Sequence, residues 1–163
     1  SYMESMKSRL VLAREHIDAV VKEAIETVMT RCIFTKDDLM KLLDKYPMAG
    51  NFKVWGAGLL YRRVRQVAPN VELLKVRETT TRNVRVFTHS FWLIYRDEPQ
   101  CREDVADILI RMLDPEVLNQ EPHVAAFVIR KVLKDNGARE DVIRLVLEKL
   151  EGERRKKKKK EKS

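Results

Sequence analysis

The junction at Pro69-Asn70 constrains this chain more than any other feature, because it divides two basic segments of opposite periodicity. Before it, Lys53-Val-Trp-Gly-Ala-Gly-Leu-Leu-Tyr-Arg-Arg-Val-Arg-Gln-Val67 repeats its apolar residues at helical spacing. Val54, Ala57, Leu60, Tyr61, Val64 and Val67 or Ala68 form one stripe, and Lys53, Gly56, Leu59, Arg62, Arg63 and Gln66 lie outward or on the flanks. After it, Val71–Glu78 and Val84–Ser90 alternate as strands do. Leu74, Val76, Val84 and Val86 share one face, and Lys75, Arg77 and Arg85 share the other. Thr79-Thr-Thr-Arg-Asn83 between them is polar, lacks glycine and is too long for a two-residue turn, so it reads as a protruding loop. Gly56 and Gly58 each cost a helix about 1 kcal/mol against alanine, which points to a close approach by a packed neighbour or by a nucleic-acid backbone.

Charge follows the same geography. The chain carries a net +8 over 163 residues, but the total matters less than its placement. Residues 53–85 hold eight Lys/Arg against two Glu, a net +6, and residues 154–163 hold a net +7. Residues 1–52 balance at zero and 101–153 carry −4. Positive charge is therefore confined to the helix with its hairpin and to the polybasic end.

Upstream, residues 6–31 read as a long helix with a stripe of Leu10, Ala13, Ile17, Val20, Val21, Ala24, Ile25 and Val28. Cys32-Ile-Phe34 reads as a short strand. Thr35 is placed to cap a second helix that has Asp37 and Asp38 in its first turn and ends near Lys45. Asn51 is placed to cap the third helix, near 52–67. Phe91–Tyr95 is the most apolar stretch, and Arg96–Gln100 is a break. Beyond it, amphipathic patterns predict helices over about 102–113, 122–136 (closed by Gly137) and 139–153. Residues 154–163 read as a self-repelling, disordered tail.

The order helix, short strand, capped helix, turn, basic helix, two-stranded ribbon resembles the winged helix-turn-helix family of DNA-binding domains. The resemblance covers roughly residues 10–90 and rests on element order and charge placement. It implies a winged-helix domain at 8–95 carrying a two-stranded β wing; with the amphipathic patterns beyond it, the expected chain is mainly α, completed by a three-helix dimerisation or partner-binding region at 100–153 and the tail at 154–163. It implies a transcriptional regulator acting on double-stranded DNA as a homodimer. The helix near 52–67 would enter a major groove, and a basic wing near 75–85 would touch the flanking backbone. The residues so assigned are Lys53, Arg62, Arg63, Arg65, Gln66, Lys75, Arg77, Arg82 and Arg85. One departure is Phe52-Lys-Val-Trp-Gly56, which offers few hydrogen-bonding groups where base reading is expected. The alternative is a winged-helix interaction or assembly module whose basic tail alone binds nucleic acid.

Other chemistry finds little footing. The sequence has no P-loop, no glycine-rich fingerprint after a strand, no nucleophile elbow and no His-x-x-x-His, so no enzyme, cofactor, metal or small-molecule ligand is expected. Asp37-Asp38, Glu103-Asp104 and Glu140-Asp141 all fall at helix starts, where the dipole accounts for them. Cys32 and Cys101 read as two small buried thiols in reducing surroundings. No apolar run reaches the ~18 residues of a membrane span. The expected location is the cytoplasm, that of the host for a viral protein, or the nucleus for a eukaryotic one. High charge (36%) and three glutamines resemble thermophile composition, and the small domain with its helical extension resembles proteins of archaea and their viruses.

Overall fold

The computed structural model describes residues 2–46 and 52–161; side chains are described over 16–46 and 57–161. The expected cap at Asn51 lies outside the described residues, as do the side chains of Leu10, Ala13, Lys53, Val54 and Trp55. The chain is mostly helical with a small antiparallel sheet, and it divides into two compact units. One comprises residues 1–73 and 92–97, the other 74–91 and 98–163. A division between 95 and 100 was expected. The chain crosses from the first unit to the second there, at 97/98, and it also crosses within one strand, at 73/74, and returns at the start of another, at 91/92.

In the first unit, α1 (Tyr2–Arg31) buries Ile17, Val20, Val21, Ala24 and Val28 along one stripe. It ends where Cys32 takes a left-handed backbone, φ 72°, with its N–H donated to Val28. β1 (Ile33–Thr35) follows, and Thr35 then caps α2 (Lys36–Lys45) in a reciprocal box. The Asp38 amide donates to Thr35 Oγ1 at 3.2 Å, and the Thr35 amide donates to Asp38 Oδ2 at 2.8 Å. α3 (Phe52–Val67) buries Ala57, Leu60 and Val64, and Ala68 just beyond it is buried while Val67 is 66% exposed. Leu60, Val64 and Ala68 close with the α1 stripe and with Phe34, Leu39, Leu43, Val71 and Ile94 into one core.

The strands depart from the expected hairpin. β2 (Val71–Val76) is not paired with Val84–Ser90; it lies in a three-stranded sheet of order β1-β5-β2, where β5 is Phe91–Arg96. β1 and β5 are antiparallel, with Phe34 opposite Ile94. The most apolar stretch thus occupies the central position, where both of its edges are hydrogen-bonded. The inserted residues form a separate hairpin, β3 (Thr79–Thr81) with β4 (Val84–Phe87). Thr79–Asn83 is therefore not a protruding loop. Arg82 and Asn83 both adopt positive φ, 53° and 62°, which makes the two-residue connection that matches strand twist. The expectation failed because it required glycine at those positions.

In the second unit, this hairpin packs on the helices α5 (Pro115–Leu118) and α6 (Pro122–Asp135), so the wing expected in the N-terminal domain belongs here. The Asp114 amide donates to the Val86 carbonyl at 2.8 Å. α4 (Pro99–Met112) and α7 (Glu140–Glu161) complete the unit. The expected three helices are present, with the single turn of α5 added. α4, α5 and α6 each begin with proline in the first turn, where its missing N–H has no intrahelical partner to lose. α6 stops at Gly137, φ 83°, with the Ala138 amide reaching back to the Leu133 carbonyl.

Two expectations are corrected here. Residues 154–161 are helical, not disordered, because α7 runs on through them. Arginine and lysine are good helix formers, and cations at a helix C-terminus oppose the negative end of its dipole. Cys32 and Cys101 are buried as expected, but neither is a free thiol. Spacing along the chain carries no information about that oxidation state. Among the described residues, no helix is long and apolar enough to cross a membrane.

Candidate nucleic-acid interface

α3 presents its polar residues in two groups. Arg62, Arg65 and Gln66 are exposed and stand at i, i+3 and i+4, so they share one stripe opposite the buried Leu60 and Val64. Arg65 lies against Tyr61, its guanidinium 5.8 Å from the ring centroid and Nη1 donating to the phenol oxygen at 3.2 Å. That contact holds the charge near the helix surface without neutralising it. Arg62 and Gln66 have no ion pair or side-chain hydrogen bond among the described residues. Arg63 points to the flank, where Nη2 meets Asp18 Oδ1 of α1 at 2.6 Å. Lys53 belongs to the first turn of α3, and its side chain lies outside the described residues. Gly58 sits on this helix with open space beside it: an added Cβ would meet no atom within 4 Å. Of the two close approaches expected there, a packed neighbour is not found among the described residues.

The basic residues of the 75–85 segment are less available than their number implies. Arg85 is tied internally, with Nη2 3.6 Å from Glu78, Nε 3.8 Å from Asp114, and a 2.7 Å hydrogen bond to the Thr88 carbonyl. Arg82 at the turn lies over Phe127 of α6, 4.3 Å from the ring centroid. Lys75 and Arg77 are exposed and have no ion pair among the described residues. The Arg77 backbone is pinned, its amide donating to Asn136 Oδ1 at 3.1 Å. Within each unit, then, the structure groups Arg62, Arg65 and Gln66 on α3, and Lys75, Arg77, Arg82 and Arg85 on or beside the hairpin.

Phe127 went unnoticed in the sequence. It occupies an ordinary apolar position in an amphipathic helix, yet it is 48% exposed and serves as a platform for Arg82. The signal that could have found it is its phase in α6, one residue off the stripe of Ala125, Val128, Ile129 and Val132. Two lysines have raised pKa values. Lys45 is held charged by its hydrogen bond and attraction to Glu23, and Lys149 by its hydrogen bond to Asp107, with Glu103 and Asp104 adding to the attraction against a cost of burial. Both sit in surface ion pairs that tie one helix to another. Among the described residues no group of three His, Cys, Asp or Glu could hold a metal ion. Comparison of the chain with protein-family models, with curated proteins and with solved structures finds no match.

Proposed function

We propose that this is a DNA-binding protein, a transcriptional regulator whose first unit is a winged helix-turn-helix with α3 as its recognition helix. The observation that carries the reading is a pairing of topology and surface. The order α1-β1-α2-α3-β2-β5 with sheet order β1-β5-β2 is the one expected of a winged helix, and the third helix bears exposed Arg62, Arg65 and Gln66 on one stripe, which supports the reading. A helix of 16 residues is about 24 Å long, and the ~12 Å major groove admits it. Arginine paired to guanine and glutamine paired to adenine are the contacts such a stripe would make. Lys75 and Arg77 add phosphate contacts, which position a protein without reading sequence. A homodimer formed through the C-terminal helices would set two such helices on half-sites about 34 Å apart.

The second reading is an interaction module whose basic α7 end alone touches nucleic acid. It is favoured by the internal engagement of Arg82 and Arg85 and by Val67, which stands exposed beside Gln66.

Duplex DNA binding across a salt series separates the two. The full chain is compared with Arg62→Ala/Arg65→Ala/Gln66→Ala and with a variant carrying glutamine at Lys156, Lys157 and Lys158. Each lost phosphate contact lowers the salt slope by about one. The α3 variant should lose at least tenfold in affinity and one to two units of slope, while the α7 variant keeps its preference for particular sequences. Binding that survives the first change and disappears with the second assigns the DNA contact to α7 alone and removes the winged-helix reading.

A further inference from the structure

α7 outruns the helices that support it. Arg102 meets Asp141 at 3.5 Å and Lys149 meets Asp107 at 3.0 Å, so α4 and α7 lie side by side in the same direction. α4 ends at Met112, whereas α7 continues to Glu161, about 33 Å from its start. Beside the overhanging part lies an open cavity of about 760 Å3 within the second unit. Its floor is Ile110 of α4, Leu118 at the end of α5 and Leu150 of α7, and its rim includes Arg154, Lys156 and Lys157. Leu118 is 40% exposed, an unusual position for a leucine beside so many cations.

The rim is not internally balanced. Arg155 on the other side of α7 pairs with Glu151, but Arg154, Lys156 and Lys157 have no ion pair among the described residues. One acidic side chain, Glu153, faces them. A lone polyanion would satisfy the rim and leave the apolar floor wet. A purely apolar partner would bury the floor and strand the cations, at a desolvation cost that disfavours it. Leu150, Arg154 and Lys157 stand at i, i+4 and i+7, so the groove follows one face of α7 for about 15 Å from Leu150 to Lys160. That is the length of about ten helical residues.

We propose that this groove docks an acidic amphipathic helix of a partner protein. Two or three of its apolar side chains, at i, i+3 or i+4 and i+7, would rest on Ile110, Leu118 and Leu150, and its flanking Asp or Glu would meet Arg154, Lys156 and Lys157. This is the helix-in-groove mode with the charge pattern fixed by the rim. It is independent of DNA contact through α3.

The probe is a fluorescein-labelled 18-residue peptide with leucine at helical spacing on one face and glutamate elsewhere. Its control has the same composition with the leucines scattered around the helix. Anisotropy against the full chain at 0.15 M salt should show the patterned peptide binding at least tenfold more tightly than the control. Leu118→Asp should abolish that preference, and because Leu118 is partly exposed the fold should tolerate it; Leu118→Met should restore it. Lys156→Gln/Lys157→Gln should weaken binding and flatten its salt dependence. Equal binding of the two peptides would mean a non-specific polyanion surface and overturn the proposal. So would unchanged affinity in Leu118→Asp. If the patterned peptide fails and sedimentation shows a dimer that Leu118→Asp dissociates, the occupant is a second copy. If it fails and vesicles containing phosphatidylglycerol bind through the same residues, the occupant is a membrane. Either result rejects the partner helix.

Discussion

Arg82 offers the sharpest test of how the hairpin is held and of what its charge is free to do. It occupies the first left-handed position of the turn, φ 53°, where the absence of glycine costs about 1–2 kcal/mol in backbone crowding. Its guanidinium lies 4.3 Å from the Phe127 centroid, and a contact to a half-exposed ring contributes about 0.5–1 kcal/mol. Arg82→Ala keeps the backbone cost and loses the contact, so the second unit should be destabilised by about 0.5–1 kcal/mol. Arg82→Gly loses the contact but relieves the backbone, so it should be no less stable than the wild type, and more stable than Arg82→Ala by about 1 kcal/mol. Urea unfolding of Arg82→Ala, Phe127→Ala and the double variant should give a coupling energy of about 0.5–1 kcal/mol. The functional consequence follows directly. A DNA phosphate that recruits Arg82 must first break this stack, so Arg82→Ala should change duplex affinity by less than about twofold, far below the loss from the α3 stripe. Phe127→Ala, which releases the guanidinium, should hold or tighten binding. Coupling near zero, or an Arg82→Gly variant less stable than Arg82→Ala, would refute the argument.

Four further outcomes follow from the same geometry. Thr35→Ala removes an acceptor for the Asp38 amide and one half of the capping box, so the first unit should lose about 1 kcal/mol in thermal or urea unfolding; no loss would place the start of α2 under other control. Gly58→Ala meets open space, so it should add up to about 1 kcal/mol of stability. If α3 lies against DNA at that point the same variant should bind duplex less tightly, and unchanged binding would show that the backbone at Gly58 is not approached. The pKa of Lys149 is raised above its usual 10.5 by Asp107, so its contribution is complete below about 10.5 and disappears as pH rises through the folded value. Stability should be flat from pH 7 to 9.5 and fall above 10.5, with a shallower fall in Lys149→Gln; identical profiles would remove the α4–α7 clamp from the account. Arg154 and Lys158 repel one turn apart on α7, so circular dichroism should show helix content rising as added salt screens them, and a flat response would refute the continuous helix.

Local chemistry made much of the fold legible. The stripe of α1 from Ile17 to Val28, the Thr35 cap, the span of α3 and the stop at Gly137 each depend on residues within one or two turns of one another, and each is found where periodicity and capping put it. What was not legible depends on partners far along the chain. β2 and β4 both bury alternate residues, Leu74 with Val76 and Val84 with Val86, so the pattern fits a single hairpin as well as two separate pairings. The decision lies with Phe91–Arg96, which takes the place beside β1 and β2 and leaves Thr79–Phe87 to close on itself through Arg82-Asn83. The helicity of the polybasic end is hidden for a related reason: a run of like charge suggests repulsion, while the helix it extends and the dipole it terminates are set by residues upstream.

The same distinction governs the site. Counting cations gives residues 53–85 a net +6, but charge acts at an interface only where nothing in the fold has already met it. Asp18 lies 45 residues from Arg63, and Phe127 lies 45 residues from Arg82, so neither could be inferred from the neighbours of the arginine it engages. Asp114 likewise answers Arg85 from across the second unit. Once these are assigned, the exposed cations of this segment without an ion pair among the described residues are Arg62 and Arg65, beside Gln66 on α3, with Lys75 and Arg77 on the second unit. The two sets are bound by different covalent routes, one through the rigid helix, the other through strands whose polar face is largely spent on internal bonds. A nucleic-acid contact made by this chain should therefore be weighted toward α3. A ribbon-dominated contact would require Arg82 and Arg85 to abandon Phe127, Glu78 and Asp114, and the free energy of those contacts would be lost from the affinity.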